Sequence, residues 1–218
     1  MVIFIKNHPF LIVISFLFAL LAILVTSGST IQFDEAGVLL LRTAGDTSVP
    51  IGGEARIDFV YALTHLGDSK TLAVITILIV GYLFYAREYV AAKWFLIAAA
   101  GSFIITALSK YFFGRDRPDI VEQFATATSG SFPSGHTLRS AVVYALISYL
   151  LMQTRFFDQK KIIGILTLAV IAVNGVTRVY LGVHWPTDII GAWLIAIFWL
   201  LLCKKGYDRA CIKSQEIE

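Results

Sequence analysis

Three short segments of this chain carry residues able to do chemistry together. They are Lys110-Tyr-Phe-Phe-Gly-Arg-Asp-Arg117-Pro118, Pro133-Ser134-Gly135-His136 and Thr177-Arg178-Val-Tyr-Leu-Gly-Val-His184-Trp-Pro-Thr-Asp188. Lys110, Arg117 and Arg178 supply three fixed positive charges, and an arginine fork matches phosphate oxygens. Pro118 biases Arg117 out of the helical region, so its side chain can turn back into a site. Ser134 and Gly135 fall where a helix begins, and there free backbone N–H groups and the helix dipole favour an anion. Gly135 also admits close backbone approach. Together these residues read as a phosphate cradle without a P-loop.

His184 and Asp188 are four residues apart, which on a helix puts them on one face. An aspartate so placed holds one imidazole nitrogen, fixes the tautomer and leaves the other nitrogen to attack. Pro186 suits the first turn of a helix. His136 is a second imidazole, so nucleophile and general acid can be separate groups. Each feature alone has a plainer reading: a structural hydrogen bond, a helix cap, a lysine snorkelling to the membrane interface. Their joint placement at three helix ends does not follow from packing. Two histidines and an aspartate also raise a metal site. The neighbouring cations would repel a metal ion and attract a phosphate, so no metal ligands are assigned. Arg115 and Arg139 read as interfacial residues, and His8 and His65 as incidental.

The elements that must position these groups follow from composition. Of 218 residues, 57% are hydrophobic and 15% charged, with mean hydropathy +0.76. Soluble domains carry about 25% charged residues, so the chain reads as a polytopic membrane protein. Disordered, collagen-like and disulfide-scaffold classes are excluded. The net charge of +3 does not point to nucleic acid, because no basic run exceeds the pairs Lys160-Lys161 and Lys204-Lys205. Cys203 and Cys211 form neither a disulfide framework nor a metal cluster.

Six apolar blocks, about Pro9–Val25, Thr71–Ala86, Trp94–Phe113, Leu138–Met152, Ile162–Val179 and Ile189–Cys203, are each close to a span once their polar ends are included. The expected fold is all-α: one domain over 1–218, six transmembrane helices in one bundle, and a motif core at 110–188. The first block reads as a retained helix rather than a cleaved signal peptide. The connection from Gly28 to about Lys70 reads as soluble. Within it, Phe33–Arg42 reads as an interfacial or packed helix, Gly45-Asp46 and Pro50–Gly53 as turns, and Ile57–Leu66 as an outward extension of the second span. Ten Lys and Arg fall on the side of both termini, Lys6 and Arg155 among them, against eight opposite. Setting aside Lys110, Arg117, Arg139 and Arg178, which lie in or beside the motifs, leaves ten against four. The termini are then cytoplasmic and the motif face exterior.

The pattern resembles the type 2 phosphatidic acid phosphatase family, the membrane lipid phosphate phosphatases. That family's signature is Lys, six residues, Arg-Pro; then Pro-Ser-Gly-His; then Ser-Arg, five residues, His, three residues, Asp. It matches Lys110 to Pro118, Pro133 to His136, and Arg178, His184 and Asp188. Thr177 stands where the family usually has Ser, and the hydroxyl is kept. The resemblance implies that His184 attacks phosphorus, Asp188 orients it, and His136 protonates the leaving lipid oxygen. Lys110, Arg117, Ser134, Gly135 and Arg178 would hold the phosphoryl oxygens. It further implies a phosphatase of lipid phosphates or diphosphates, such as undecaprenyl diphosphate, phosphatidylglycerophosphate, phosphatidic acid or lipid A phosphates. Such an enzyme would act at the outer face of a bacterial inner membrane, without metal or organic cofactor. Its partners would be the lipid substrate and the bilayer. A phosphotransferase that passes the same phosphohistidine to a lipid hydroxyl stays open as an alternative. The full set of His184, Asp188 and His136 disfavours a mere binder.

Overall fold

A computed structural model describes residues 8–153 and 159–215. Lys6, Arg155 and the side chain of His8 lie outside the described residues. The chain runs α1 (His8–Thr26), α2 (Ile31–Leu39), a hairpin of β1 (Arg42–Thr43) and β2 (Asp46–Pro50), α3 (Ile57–Thr64), α4 (Ser69–Tyr85), α5 (Tyr89–Phe113), α6 (Gly135–Gln153), α7 (Lys160–Tyr180) and α8 (Pro186–Gln215).

Local sequence explains the ends that matter. Helix α5 stops at Gly114, whose φ of 51° is the left-handed cap that glycine adopts without penalty. Helix α8 opens on Pro186, whose missing N–H costs nothing in a first turn. Helix α3 does not continue into α4: a single turn, His65–Gly67, and extended Asp68 separate them, and the axes bend by 42°. The segment expected to extend the second span straight outward, Ile57–Leu66, is instead the short helix Ile57–Thr64 and part of that turn, set at an angle to α4.

Four helical segments are long and apolar enough to cross a membrane: Pro9–Thr26, Tyr89–Phe113, Lys160–Tyr180 and Pro186–Lys213. The bent pair Ile57–Gly67 and Ser69–Tyr85 makes a fifth if counted as one span. Helix α6 falls short of that measure because its first two turns carry His136, Thr137, Arg139 and Ser140. It is nevertheless the centre of the bundle, packed against α4, α5, α7 and α8, with Leu138, Val142 and Val143 fully buried. The outward faces of the surrounding helices are apolar, as Ile12, Ile77, Leu78 and Leu168 illustrate. That pattern suits a hydrocarbon surround.

Small residues bring the site-bearing helices close. A Cβ added at Gly175 of α7 would lie 2.6 Å from Ile189 Cγ2 of α8. Gly37 faces Pro186, so α2 seats on the start of α8. Helix α2 packs on the bundle through Asp34 and Val38, which are fully buried, while its Ile31, Phe33 and Leu39 stay exposed. The hairpin pairs Arg42 with Pro50 and Thr43 with Asp46. Its Arg42 donates to the Tyr180 carbonyl at 2.9 Å, tying the connection to the end of α7.

Candidate active site

The three motif segments meet at one end of the bundle: the end of α5, the start of α6, and the loop from α7 into α8. That loop turns at Gly182, with φ of 72°. A Cβ there would lie 2.5 Å from the Glu122 carbonyl oxygen and 2.9 Å from Arg42 Nη2, so only glycine fits. Two residues on, His184 is 2% exposed and Asp188 is 0% exposed.

His184 Nδ1 lies 3.1 Å from Asp188 Oδ2. The same oxygen accepts the Trp185 backbone N–H at 2.9 Å. Arg117 Nη1 reaches His184 Nε2 at 3.3 Å and also donates to the Val183 carbonyl. A guanidinium can only donate, so Nε2 is the bare nitrogen and Nδ1 carries the proton toward Asp188. Arg117 is held from behind by the carbonyls of Ser129 (3.0 Å) and Gly130 (3.2 Å). Lys110 Nζ donates to Ser129 Oγ at 2.9 Å. Burial, followed by the charges of Arg117, Arg178 and Lys110, holds the His184 imidazole well below its ordinary pKa of 6.5.

Arg115 is not an interfacial residue. Its Nη1 donates to Asp188 Oδ1 at 2.7 Å and to Thr187 Oγ1 at 2.8 Å. Its Nη2 donates to Asp34 Oδ2 at 2.6 Å. Asp34 also accepts the Thr187 backbone N–H (2.9 Å) and hydroxyl (2.8 Å). A buried carboxylate is costly unless paired, and one guanidinium here serves two. The result is a relay of Asp34, Arg115, Asp188 and His184 in which every link is charged or charge-assisted.

The start of α6 differs from expectation in one respect. The Ser134 N–H is taken by the Asp188 carbonyl at 3.0 Å, because that bond locks α6 to α8. The N–H groups of Gly135, His136 and Thr137 open the helix without acceptors inside it. A Cβ at Gly135 would lie 2.8 Å from Thr106 Cγ2 and 3.0 Å from Arg139 Nη2, so the glycine keeps this corner open. His136 Nε2 lies 2.7 Å from Asp68 Oδ1. A carboxylate can only accept, so Nε2 carries the proton and Nδ1 is left for a reaction partner. His65 is not incidental: its Nδ1 bonds the other oxygen of Asp68. Arg178, 4% exposed, donates from Nη1 to Thr64 Oγ1 at 3.1 Å, while its buried Nε has no partner among the described residues. Tyr61, His65, Asp68, His136 and Arg178 line a cavity of about 140 Å³.

The arrangement is thus an imidazole nitrogen that accepts from Arg117, with Arg178, Lys110 and a second imidazole, His136, near enough for their charges to act on it. Among the described residues no group of three or more His, Cys, Asp and Glu side chains is gathered to hold a metal ion. Compared with known proteins, residues 91–210 match the model of the PAP2 superfamily. The chain belongs to that superfamily.

Other PAP2 proteins are similar over most of the chain. It is 32% identical to phosphatidylglycerophosphatase B of Bacillus subtilis over 149 residues, 67% of this chain and 72% of that protein. It is 31% identical to an undecaprenyl-diphosphatase of Sulfolobus acidocaldarius over 169 residues, 66% of this chain and 77% of that protein. The crystal structure of a transmembrane PAP2-type phosphatidylglycerolphosphate phosphatase from Bacillus subtilis superimposes with a TM-score of 0.80 at 27% identity. That overlay covers 92% of this chain and 96% of that one. Aquifex aeolicus LpxE shares the fold, with a TM-score of 0.62 at 22% identity over 79% of this chain and 95% of that one. The PAP2 chain is an integral membrane protein, as its apolar helices and these membrane neighbours require.

The residues that motif reading passes over are Asp34, Asp68, His65 and Arg115. One signal could have found two of them. A carboxylate in a largely apolar segment beside a membrane demands a partner, and Asp34 and Asp68 are such carboxylates.

Proposed function

We propose that this PAP2 chain removes phosphate from membrane lipid phosphates or diphosphates through a phosphohistidine on His184. The observation that carries the reading is the bare, buried Nε2 of His184, with Nδ1 turned to Asp188 and Arg117 beside it. The named activities of its relatives, phosphatidylglycerophosphatase and undecaprenyl-diphosphatase, support the substrate class.

Nε2 attacks phosphorus as the bond from phosphorus to the lipid oxygen breaks. His136, whose Nδ1 first takes a proton from the entering phosphate monoanion while Nε2–H stays on Asp68, gives that proton to the leaving oxygen. Water then attacks phosphorus, returns a proton to His136 and frees phosphate as the P–N bond breaks. Arg117 leaves Nε2 for a phosphoryl oxygen when substrate enters. With Lys110, Arg178 and the first-turn N–H groups of α6 it stabilises charge building on the equatorial oxygens. Ser134 acts by fixing that turn. The 1–218 chain works as one domain of six spans, α3–α4 counting as one and α6 as the central one. Its termini are cytoplasmic and its site faces the exterior of a bacterial inner membrane, in keeping with the Lys and Arg distribution.

The test is phosphate release by detergent-purified protein in EDTA from undecaprenyl diphosphate, phosphatidylglycerophosphate and phosphatidic acid. Release from at least one lipid, with an acid-labile phosphoenzyme trapped on rapid quench, is the expected result. Release that stops on chelation would overturn the metal-free chemistry.

The position of the His184 pKa sets a pH signature. A depressed pKa keeps the imidazole neutral, and so nucleophilic, as pH falls through 6.5. The acid limb of phosphate release therefore lies below the range of an ordinary histidine. Arg117→Gln removes a neighbouring positive charge, which favours the protonated ring and raises its pKa. The acid limb of that variant is expected to move upward relative to wild type on the same lipid. Superimposable pH profiles would disconnect Arg117 from His184.

A further inference from the structure

A cleft of about 520 Å³ lies between α5 and α6, with Lys110 in its wall, a size usual for small-molecule sites. Its walls include Phe103, Thr106, Lys110, Tyr111, Ser129 and Arg139. Arg139 sits one turn into α6 from His136, with its guanidinium over the Phe103 ring at 5.0 Å. Its Nε is buried and has no hydrogen-bond partner among the described residues. The carboxylate that could have answered it, Asp68, has one oxygen bonded to His65 and the other to His136. Arg139 is only half-buried, but its Nε is buried without a partner among the described residues, which is expensive, so its retention beside the cleft calls for an anion that arrives from outside.

The cleft's lining is bonded to the candidate active site. Ser129 receives Lys110 on its hydroxyl and Arg117 on its carbonyl, and Arg117 touches His184. Arg139 Nη2 borders Gly135, at the opening of α6. Tyr111, 85% exposed, and Leu108, 54% exposed, mark the outward side of α5 here, the side that faces hydrocarbon in a membrane protein. A lipid entering laterally would lay its terminal phosphoryl group at His184 and its tail in the bilayer. Whatever lies between the two passes Lys110 and Arg139.

We propose that the Lys110–Arg139 cleft is a subsite for a second phosphoryl group, one that stands between the transferred phosphate and the hydrocarbon tail. The preferred substrates are then lipids with two phosphoryl groups in line. Either a diphosphate monoester of a polyprenol or a phosphate monoester joined through glycerol to a phosphodiester has that chemistry. Lipids with a single phosphate leave Arg139 unanswered. This inference rests on the lipid phosphatase reading above.

The experiment compares kcat/KM on undecaprenyl diphosphate against undecaprenyl phosphate, and on phosphatidylglycerophosphate against phosphatidic acid. Wild type, Arg139→Gln and Arg139→Lys are each assayed. The expected result is a wild-type preference for the two-phosphate member of at least one pair. Arg139→Gln should reduce that preference about 10-fold or more, the scale of one lost charge-assisted contact. Arg139→Lys should restore part of it. Equal falls on both members of each pair, or no fall, would overturn the subsite. A wild type that hydrolyses none of the four lipids would instead remove the phosphatase reading, and the subsite with it. A second measurement needs no variant: methylenediphosphonate should inhibit wild type at least about 10-fold more tightly than inorganic phosphate, again the scale of one charged contact. Equal inhibition by the two would count against the subsite even if both variants failed to fold. The source of the second anion is read from which lipid pair shows the preference.

Discussion

His184→Ala is expected to lower phosphate release by about 10,000-fold or more and to eliminate the trapped phosphoenzyme, as removal of a nucleophile does when no neighbour can replace it. No neighbour can do so here. His136 has its Nε2 bound to Asp68 and is proposed as the acid. Lys110 is engaged with Ser129. The loss should be one of chemistry rather than of folding or binding. In the variant, Asp188 keeps Arg115 and the Trp185 N–H as partners, so no buried charge is stranded. Arg117, Arg178 and Lys110 remain to bind the phosphoryl group, and the affinity for inorganic phosphate should change far less than turnover. Phosphate release by His184→Ala within about 100-fold of wild type would mean that phosphorus is attacked directly by water and that the histidine has another task.

The second large effect is expected at a residue outside the signature positions. Arg115→Ala withdraws the one guanidinium shared by Asp34 and Asp188, both 0% exposed, from a side chain that is itself only 14% exposed. Breaking a buried pair by removing one partner costs about 3–5 kcal/mol, and here two carboxylates lose the same partner. In a chain of this length each kcal/mol moves the melting temperature by about 2–4 °C, so a fall of about 10 °C is expected in detergent. Turnover should fall by about 100-fold in the fraction that stays folded, because Asp188 would take up a proton or rotate and lose its hold on His184 Nδ1. Arg115→Lys should rescue little, since one ammonium cannot reproduce a fork that spans two carboxylates and a hydroxyl. Asp34→Asn combined with Arg115→Ala should be strongly non-additive. A melting curve for Arg115→Ala that overlays wild type would mean that the relay carries no load.

The membership of the candidate site was legible because its residues cluster in chain order and differ in kind from their surroundings. A histidine four residues before an aspartate, ahead of an apolar run, can be read without a fold. The same holds for cations at the ends of apolar blocks. Residues that act through others left no such trace. Arg115 stands two places before Arg117 with the same side chain, and only the turn after Gly114 sends one toward Asp34 and the other toward His184. Asp34 meets Thr187 across most of the chain, a pairing that no periodicity encodes. Asp68 occupies the position of a helix cap, yet its carboxylate turns away from α4 to bridge two histidines. The apolar blocks foreshadowed the helices, but their ends shifted where polar residues continue a helix. Helix α6 starts at Gly135, three residues before the apolar run at Leu138, and α8 carries on to Gln215 past the lysines that close its apolar part.

The reach of α2 into the site bears on where this enzyme can be cut or exchanged. The segment that matches the superfamily model begins at residue 91. Asp34, His65 and Asp68 all precede it: Asp34 bonds Arg115, and Asp68, itself bonded to His65, bonds His136. The region ahead of the recognisable core is therefore not an interchangeable leader but a clamp fitted to this core. In a chimera that joins residues 91–210 to the amino-terminal part of a relative, the incoming piece must carry its own equivalents of these two carboxylates. Without them, a core with every signature residue intact would assemble with one arginine and one histidine lacking their counterweights.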